Sequence, residues 1–438
     1  MSMDHLPIAI VGAGPVGLAA AAHLLDRGLA PLVFEAGATA GASIGRWGHV
    51  RMFSPWSFNI DAKAAALLAP TGWVAPPADA YPTGRDLLTQ YLWPLAEVAP
   101  IRQRLHLNSR VVSVSRAGHD VMRTAQRGQA PFVLRVAGPE GERDVLARAV
   151  IDASGTYATP NWMGTHGIPA LGEMASADRI AYGVPDVLGA ARPRYANRRV
   201  LVLGSGHSAF NALHDLAELA VAEPRTQVLW AIRGVSLERI LGGGKNDQLQ
   251  ERGKLGLVIG RLLDEGKIAL HTGVHVDRVA ESPEGLRLHA ASQILPPVDE
   301  VIVATGFRPD LGLLSELRLE LDPATQSPVR LAPLIDPNVH SCGTVRPHGA
   351  AELSHPEDGL YVVGMKSYGR APTFLMWTGY EQVRSVAAAL AGDWEAAGRV
   401  ELVLPETGVC HTQFRRPDAV AERGSGCGTT ACASGRQG

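Results

Sequence analysis

Gly12-Ala13-Gly14-Pro15-Val16-Gly17 sets three glycines at the spacing G-x-G-x-x-G, between apolar runs at 7–11 and 18–27. Few folds place glycines this way. The first permits a tight turn after a strand, and the second leaves room for a pyrophosphate to reach the backbone. The third lets the following helix lie close on the strand. The helix N-terminus then offers unpaired N–H groups and the positive end of its dipole to phosphates. A further apolar run at 31–35 ends in Glu35, where a carboxylate can accept from a ribose. The spacing predicts strand, turn, helix and strand, with Gly12, Gly14, Pro15, Gly17 and Glu35 against a dinucleotide. Residues 6–25 are nearly all apolar and about long enough to span a bilayer. The regular glycines, Pro15 and the absence of Lys or Arg before the run predict a buried strand–turn–helix instead.

Gly204-Ser205-Gly206-His207-Ser208-Ala209 repeats the pattern, with alanine small enough for the third place. A strand at 200–203, a helix at 209–221 and a strand at 227–232 surround it. That last strand leads to Arg233, where the first unit has Glu35. A guanidinium favours a 2′-phosphate and a carboxylate repels it, so Gly204, Gly206, His207, Ser208 and Arg233 predict NADP rather than NAD. The alternative is that Arg233 is only a solvated surface side chain. Two unlike dinucleotide sites on one chain imply electron transfer between two cofactors. FAD suits the first site and NADPH, as hydride donor, the second.

The remaining pattern predicts an α/β fold with two Rossmann-like three-layer dinucleotide-binding domains, the FAD domain split by an inserted NADP domain. The expected divisions are 1–164 for the first part of the FAD domain, 165–300 for the NADP domain, 301–405 for the second FAD part and 406–438 for a flexible tail. Residues 110–115 and 132–136 alternate like a hairpin or meander. Residues 150–155 and 301–306 read as buried strands ending in small residues that could carry the chain between domains. A strand at 359–364 and a helix at 378–390 follow.

Composition excludes several alternatives. Hydrophobic residues are 46% and charged residues 19% of the 438, so the chain has apolar surface for cores. The net charge of −2 gives no basic excess for nucleic acid. Four cysteines are too few for a disulfide scaffold and fit a reducing, cytoplasmic setting. No membrane partner is expected, and the oligomeric state is not legible. No H-x-x-x-H stands on a predicted helix, so no metal site is expected. Gly242-Gly243-Gly244-Lys245 lacks the phosphate-loop spacing and reads as a mobile loop over a nicotinamide. Cys427 and Cys432, with Cys410 upstream, lie in the predicted tail, where a thiol relay is one reading and no role the other. The aromatics Trp47, Phe53, Trp56 and Phe58 are either core or a shield for a flavin.

The two glycine motifs, Ala153-Ser154-Gly155, and Ala304-Thr305-Gly306 followed by Phe307-Arg308-Pro309-Asp310 occur together in this order. That set resembles the class B flavoprotein monooxygenases, over about residues 7–400. The resemblance implies FAD in a split domain and NADPH in an inserted one. It also implies a C4a-peroxyflavin that oxygenates a small organic substrate, at a heteroatom or ketone, using molecular oxygen. By the same resemblance Val111 packs on the adenine and Trp47 stands near the flavin. Ala153, Gly155, Gly306 and Gly364 lie along the cofactors, and Ser208 and His207 meet the NADP phosphates. The family's F-x-G-x-x-x-H stretch has its counterpart in Tyr182-Gly183, with no histidine at the matching distance. Two alternatives therefore stand. One is an NADPH-dependent flavin oxidoreductase with a quinone, disulfide or metal acceptor, and the other is a redox-sensing flavoprotein. No catalytic side chain is singled out.

Overall fold

The computed structural model describes residues 3, 5–237, 240–241, 250–339, 346–372 and 374–402. The glycine stretch at 242–245, the tail at 406–438 and all four cysteines lie outside them. Two five-stranded parallel sheets organise the chain. The first holds β1 (Ile8–Val11), β2 (Pro31–Phe34), β3 (Leu105–His106), β7 (Ala149–Asp152) and β16 (Leu360–Val362), in the order β16-β7-β1-β2-β3. A three-stranded antiparallel layer, β4 (Arg110–Arg116), β5 (Phe132–Gly138) and β6 (Gly141–Ala147), stands between β3 and β7 in the chain. The second sheet holds β8 (Ile180–Tyr182), β9 (Arg199–Leu203), β10 (Gln227–Ala231), β11 (Ala269–His271) and β15 (Glu300–Val303), in the order β11-β10-β9-β15-β8. Its own antiparallel layer is β12 (Val276–Ser282), β13 (Gly285–Ala290) and β14 (Gln293–Ile294). The fold is the expected α/β arrangement with two dinucleotide-type halves.

All four residues of β1 are buried, because β2 and β7 flank it and both sheet faces are covered. Such a strand must be a continuous apolar run. Helix α1 (Pro15–Asp26) opens on Pro15, whose missing N–H costs nothing at the first helical position. It was expected from residue 18, and α2 (His207–Ala222) from 209. Both begin earlier because Gly14 and Gly206 are extended N-caps, so the rest of each glycine motif is already helical. Leu18 and Leu24 of α1 share a core with Val383 and Val386 of α4 (Met376–Leu390), while α3 (Gln250–Asp264) packs on α2.

The strand near residue 301 departs from expectation. β15 pairs in parallel with β9 and β8, so it completes the second sheet, and the expected division at 300/301 falls inside it. The chain returns to the first sheet only at β16, on the edge of β7. Beside β16, Glu357 ties that return to the antiparallel layer. Its carboxylate accepts from Arg116 at 2.8 Å and Arg127 at 2.8 Å, and all three side chains are buried. Among the described residues no helix is long and apolar enough to cross a membrane.

Candidate active site between two glycine turns

The first glycine turn lies at the C-terminal end of β1 and divides its labour sterically. Gly12 has φ +98°, and a Cβ there would sit 2.8 Å from the Ala153 carbonyl oxygen. A Cβ on Gly17 would sit 2.0 Å from the Gly12 oxygen, so α1 packs on the turn only through this glycine. Gly14 is different: no atom lies within 4 Å of its Cβ position, and the turn opens onto free space there. Those are the three properties a pyrophosphate cradle requires. Glu35 just past β2 is partly buried, and its carboxylate accepts from the N–H groups of Ala13 at 2.9 Å and Gly37 at 2.8 Å. It braces the turn, with lone pairs left over for an outside donor.

Around this turn stand most of the other expected positions. Ala153 meets Gly12, and Gly155 follows it with open space at its Cβ position. Gly364 rests on the Val16 side chain and donates its N–H to Gln382 at 2.7 Å. Val111 is buried, in one apolar cluster with Phe34 at the end of β2. Of the aromatic group, Trp56 belongs to the core and Phe58 stacks on Trp377 at 4.5 Å, whereas Trp47 and Phe53 line a cavity.

The second turn repeats the construction. A Cβ on Gly204 would sit 2.3 Å from the Ala304 oxygen, Gly206 has nothing within 4 Å, and Ala209 is fully buried against the strand. His207 and Ser208 form the first turn of α2. The His207 ring lies 5.2 Å from that of Phe53, which belongs to the first half of the chain. Arg233 is not held over the turn. It donates to the carbonyls of Gly164 at 3.1 Å and Met163 at 3.3 Å, and burial lowers its pKa. Gly306 follows β15, and its carbonyl accepts from the Asn161 N–H at 2.9 Å.

Two adjoining cavities lie beside the second turn. One cavity of about 300 Å³ has Trp47, Met52 and Phe53 on one side and His207, Ser208 and Asn211 on the other. A second, of about 340 Å³, adjoins it through Tyr157, Val184 and Phe307, and Tyr157 stacks on Phe307 at 4.8 Å. Burial raises the Tyr157 pKa, against the pull of Arg46. Tyr182, in the second cavity, has its pKa raised by burial and by its hydrogen bond to the buried Glu173.

The sequence profile of the pyridine nucleotide-disulphide oxidoreductase family matches residues 9–331. The chain belongs to that family. It is an oxidoreductase. Ferredoxin–NADP reductase of Salinispora arenicola (strain CNS-205) is 27% identical over 322 residues, which are 73% of this chain and 80% of that protein. Bacillithiol disulfide reductase from Bacillus cereus superposes with a TM-score of 0.65 at 19% identity, over 88% of this chain and 99% of its own. The ornithine N-hydroxylase of Kutzneria sp. 744 does so at 0.62 and 16%, over 89% and 99%. The two structures share its fold.

This pyridine nucleotide-disulphide oxidoreductase also has site features that sequence patterns do not disclose. Lys366 is wholly buried, 2.6 Å from Asp152 and 3.0 Å from the Ser154 hydroxyl, at the end of β7 beside the first turn. Gln382 of α4 accepts from Gly364, and its amide N–H groups donate to Ser367 at 2.9 Å and to His348 at 2.8 Å. His348 also pairs with the Arg346 carbonyl at 3.1 Å, which fixes the proton on Nδ1, and burial lowers its pKa. The neutral ring thus anchors the segment that follows Gly364. Arg46, Tyr157 and Phe307 were legible only as neighbours of the Trp47, Gly155 and Gly306 motifs.

Proposed function

We propose that the chain binds FAD on the first glycine turn and NADPH on the second, as an FAD domain split by an inserted NADP domain. On this reading it is a monooxygenase of a small organic substrate. The observation that carries it is the pair of glycine turns, open at Gly14 and Gly206, together with an apolar, aromatic cavity in which Phe53 of the first half meets His207 at the start of α2. Bound flavin would supply hydride acceptance and oxygen activation. The chain's own residues hold the phosphates at the two helix starts, brace the first turn through Glu35, and keep water out with Trp47, Met52 and Phe53. The Kutzneria N-hydroxylase structure holds reduced FAD, NADP⁺ and L-ornithine, which supports this pairing of sites. In purified enzyme oxidising NADPH with substrate under labelled dioxygen, one labelled atom is expected in the product. Recovery of all reducing equivalents as hydrogen peroxide, whatever the substrate, overturns the monooxygenase reading.

A second reading is an NADPH-dependent flavin oxidoreductase with a non-oxygen acceptor. The likeness to ferredoxin–NADP reductase and the missing histidine after Tyr182-Gly183 favour it. Turnover of a quinone or ferredoxin in the absence of oxygen, at a rate above that with oxygen, distinguishes it.

Coenzyme choice rests on Arg233. The guanidinium donates to the carbonyls of residues 163 and 164, and a 2′-phosphate would offer it a fully charged acceptor in place of neutral carbonyls. Arg233→Ala is expected to raise the KM for NADPH about tenfold and leave that for NADH within about twofold, consistent with roughly 1.5–3 kcal/mol for a charged bond. Equal loss for both coenzymes would make Arg233 a brace for the 163–164 loop alone.

A further inference from the structure

The cavity of about 340 Å³ is chemically one-sided. Among the described residues lining it, Arg46 carries the only charge, and Asp, Glu and Lys are missing from its wall. The Arg46 side chain is exposed, and its guanidinium makes no hydrogen bond or ion pair with the described residues. The carboxylate behind the wall, Glu173, is already satisfied: it accepts from the N–H groups of Met163 at 2.9 Å and Ala170 at 2.6 Å, and from the Tyr182 hydroxyl. The same cavity is lined by the stacked pair Tyr157–Phe307 and by Tyr182, which is set edge-on to Trp162 at 5.9 Å. Tyr157 makes no hydrogen bond among the described residues, so its hydroxyl is a second donor at the site. Gly183 lets it approach, since a Cβ there would sit 3.2 Å from that oxygen.

We propose that this cavity is the substrate subsite and that it takes a monoanion with a flat apolar body, an aryl carboxylate or its like. The proposal rests on the two-cofactor reading above and deepens it. An aromatic wall favours a planar apolar group, and an unspent guanidinium favours a planar oxyanion. One arginine balances one negative charge, which suits a carboxylate better than the near-dianion of a phosphate monoester. An alkylammonium substrate would find a like charge and no acceptor carboxylate, and would lose its hydration uncompensated. The neighbouring cavity, bordered by His207 and Ser208, is left to the coenzyme.

The test is calorimetric titration of the purified protein, with its bound cofactors, using phenylacetate, phenethylamine and phenylethanol as matched probes. Phenylacetate is expected to bind about tenfold or more tightly than phenethylamine, and Arg46→Met to remove that advantage while phenylethanol stays within about twofold. Arg46→Lys is expected to restore part of it. Equal or tighter binding of phenethylamine overturns the proposal, as does an unchanged phenylacetate affinity in Arg46→Met. A loss confined to NADPH affinity would assign Arg46 to the coenzyme and also overturn it, while leaving the two-cofactor reading intact. Protein purified without flavin would instead defeat that reading, and the probe preference would still be measured on its own terms.

Discussion

Lys366→Met is expected to lower the stability of the first sheet's domain by about 3–5 kcal/mol, because it leaves the Asp152 carboxyl group wholly buried without its cation. Asp152 would keep only the Ser154 contacts, a backbone N–H at 3.0 Å and a hydroxyl at 2.6 Å. Urea unfolding followed by far-ultraviolet circular dichroism measures the loss. The double variant Lys366→Met/Asp152→Leu is expected to recover most of it, since an apolar pair of similar volume replaces two desolvated charges at little net cost. A single variant within about 1 kcal/mol of the parent would place the pair in contact with water and remove its structural role.

Gly17 and Gly14 are expected to fail in opposite ways. Gly17→Ala drives a methyl to 2.0 Å from the Gly12 oxygen, a backbone atom that cannot rotate aside. Helix α1 must lift from β1, at a cost above the roughly 1–3 kcal/mol of ordinary overpacking, and the protein is expected in the insoluble fraction. At Gly14 a Cβ meets nothing within 4 Å, and the residue sits at an extended N-cap (φ −74°) that valine can adopt. Gly14→Val is expected to fold and stay soluble, with the melting temperature of the flavin-free parent protein, and to purify colourless, because the side chain occupies the proposed pyrophosphate space. A yellow Gly14→Val protein with full flavin content would refute FAD at this turn.

Both turns were legible because the first glycine of each sits where a Cβ would strike a neighbouring carbonyl, and the third place takes only glycine or alanine. The helix starts were misplaced by a few residues because the pattern does not say where a cap ends and a helix begins. Val301-Ile302-Val303 was recognisable as a buried strand, yet every strand buried on both faces is apolar throughout, so nothing in it names its sheet. Ile180–Tyr182 is too short for periodicity to mark. Lys366 was invisible for a different reason. Lysine is almost always solvated, and only the fold brings it under Ser154 to a partner 214 residues away. Arg233 follows β10, but its tie to residues 163 and 164 depends on a segment no local pattern connects to it.

The position of β16 bears on how the chain is made. All five strands of the second sheet lie between residues 180 and 303, so that sheet has every component once the ribosome has passed its last strand. The first sheet does not. β1, β2, β3 and β7 are synthesised by residue 152, but the edge of β7 waits for Leu360–Val362, and Arg116 and Arg127 wait for Glu357. Through more than two hundred residues of elongation the nascent N-terminal half carries an open parallel edge and two arginines without their carboxylate. The second sheet can therefore close before the first, whose exposed edge stays open to mispairing until Leu360–Val362 has been made.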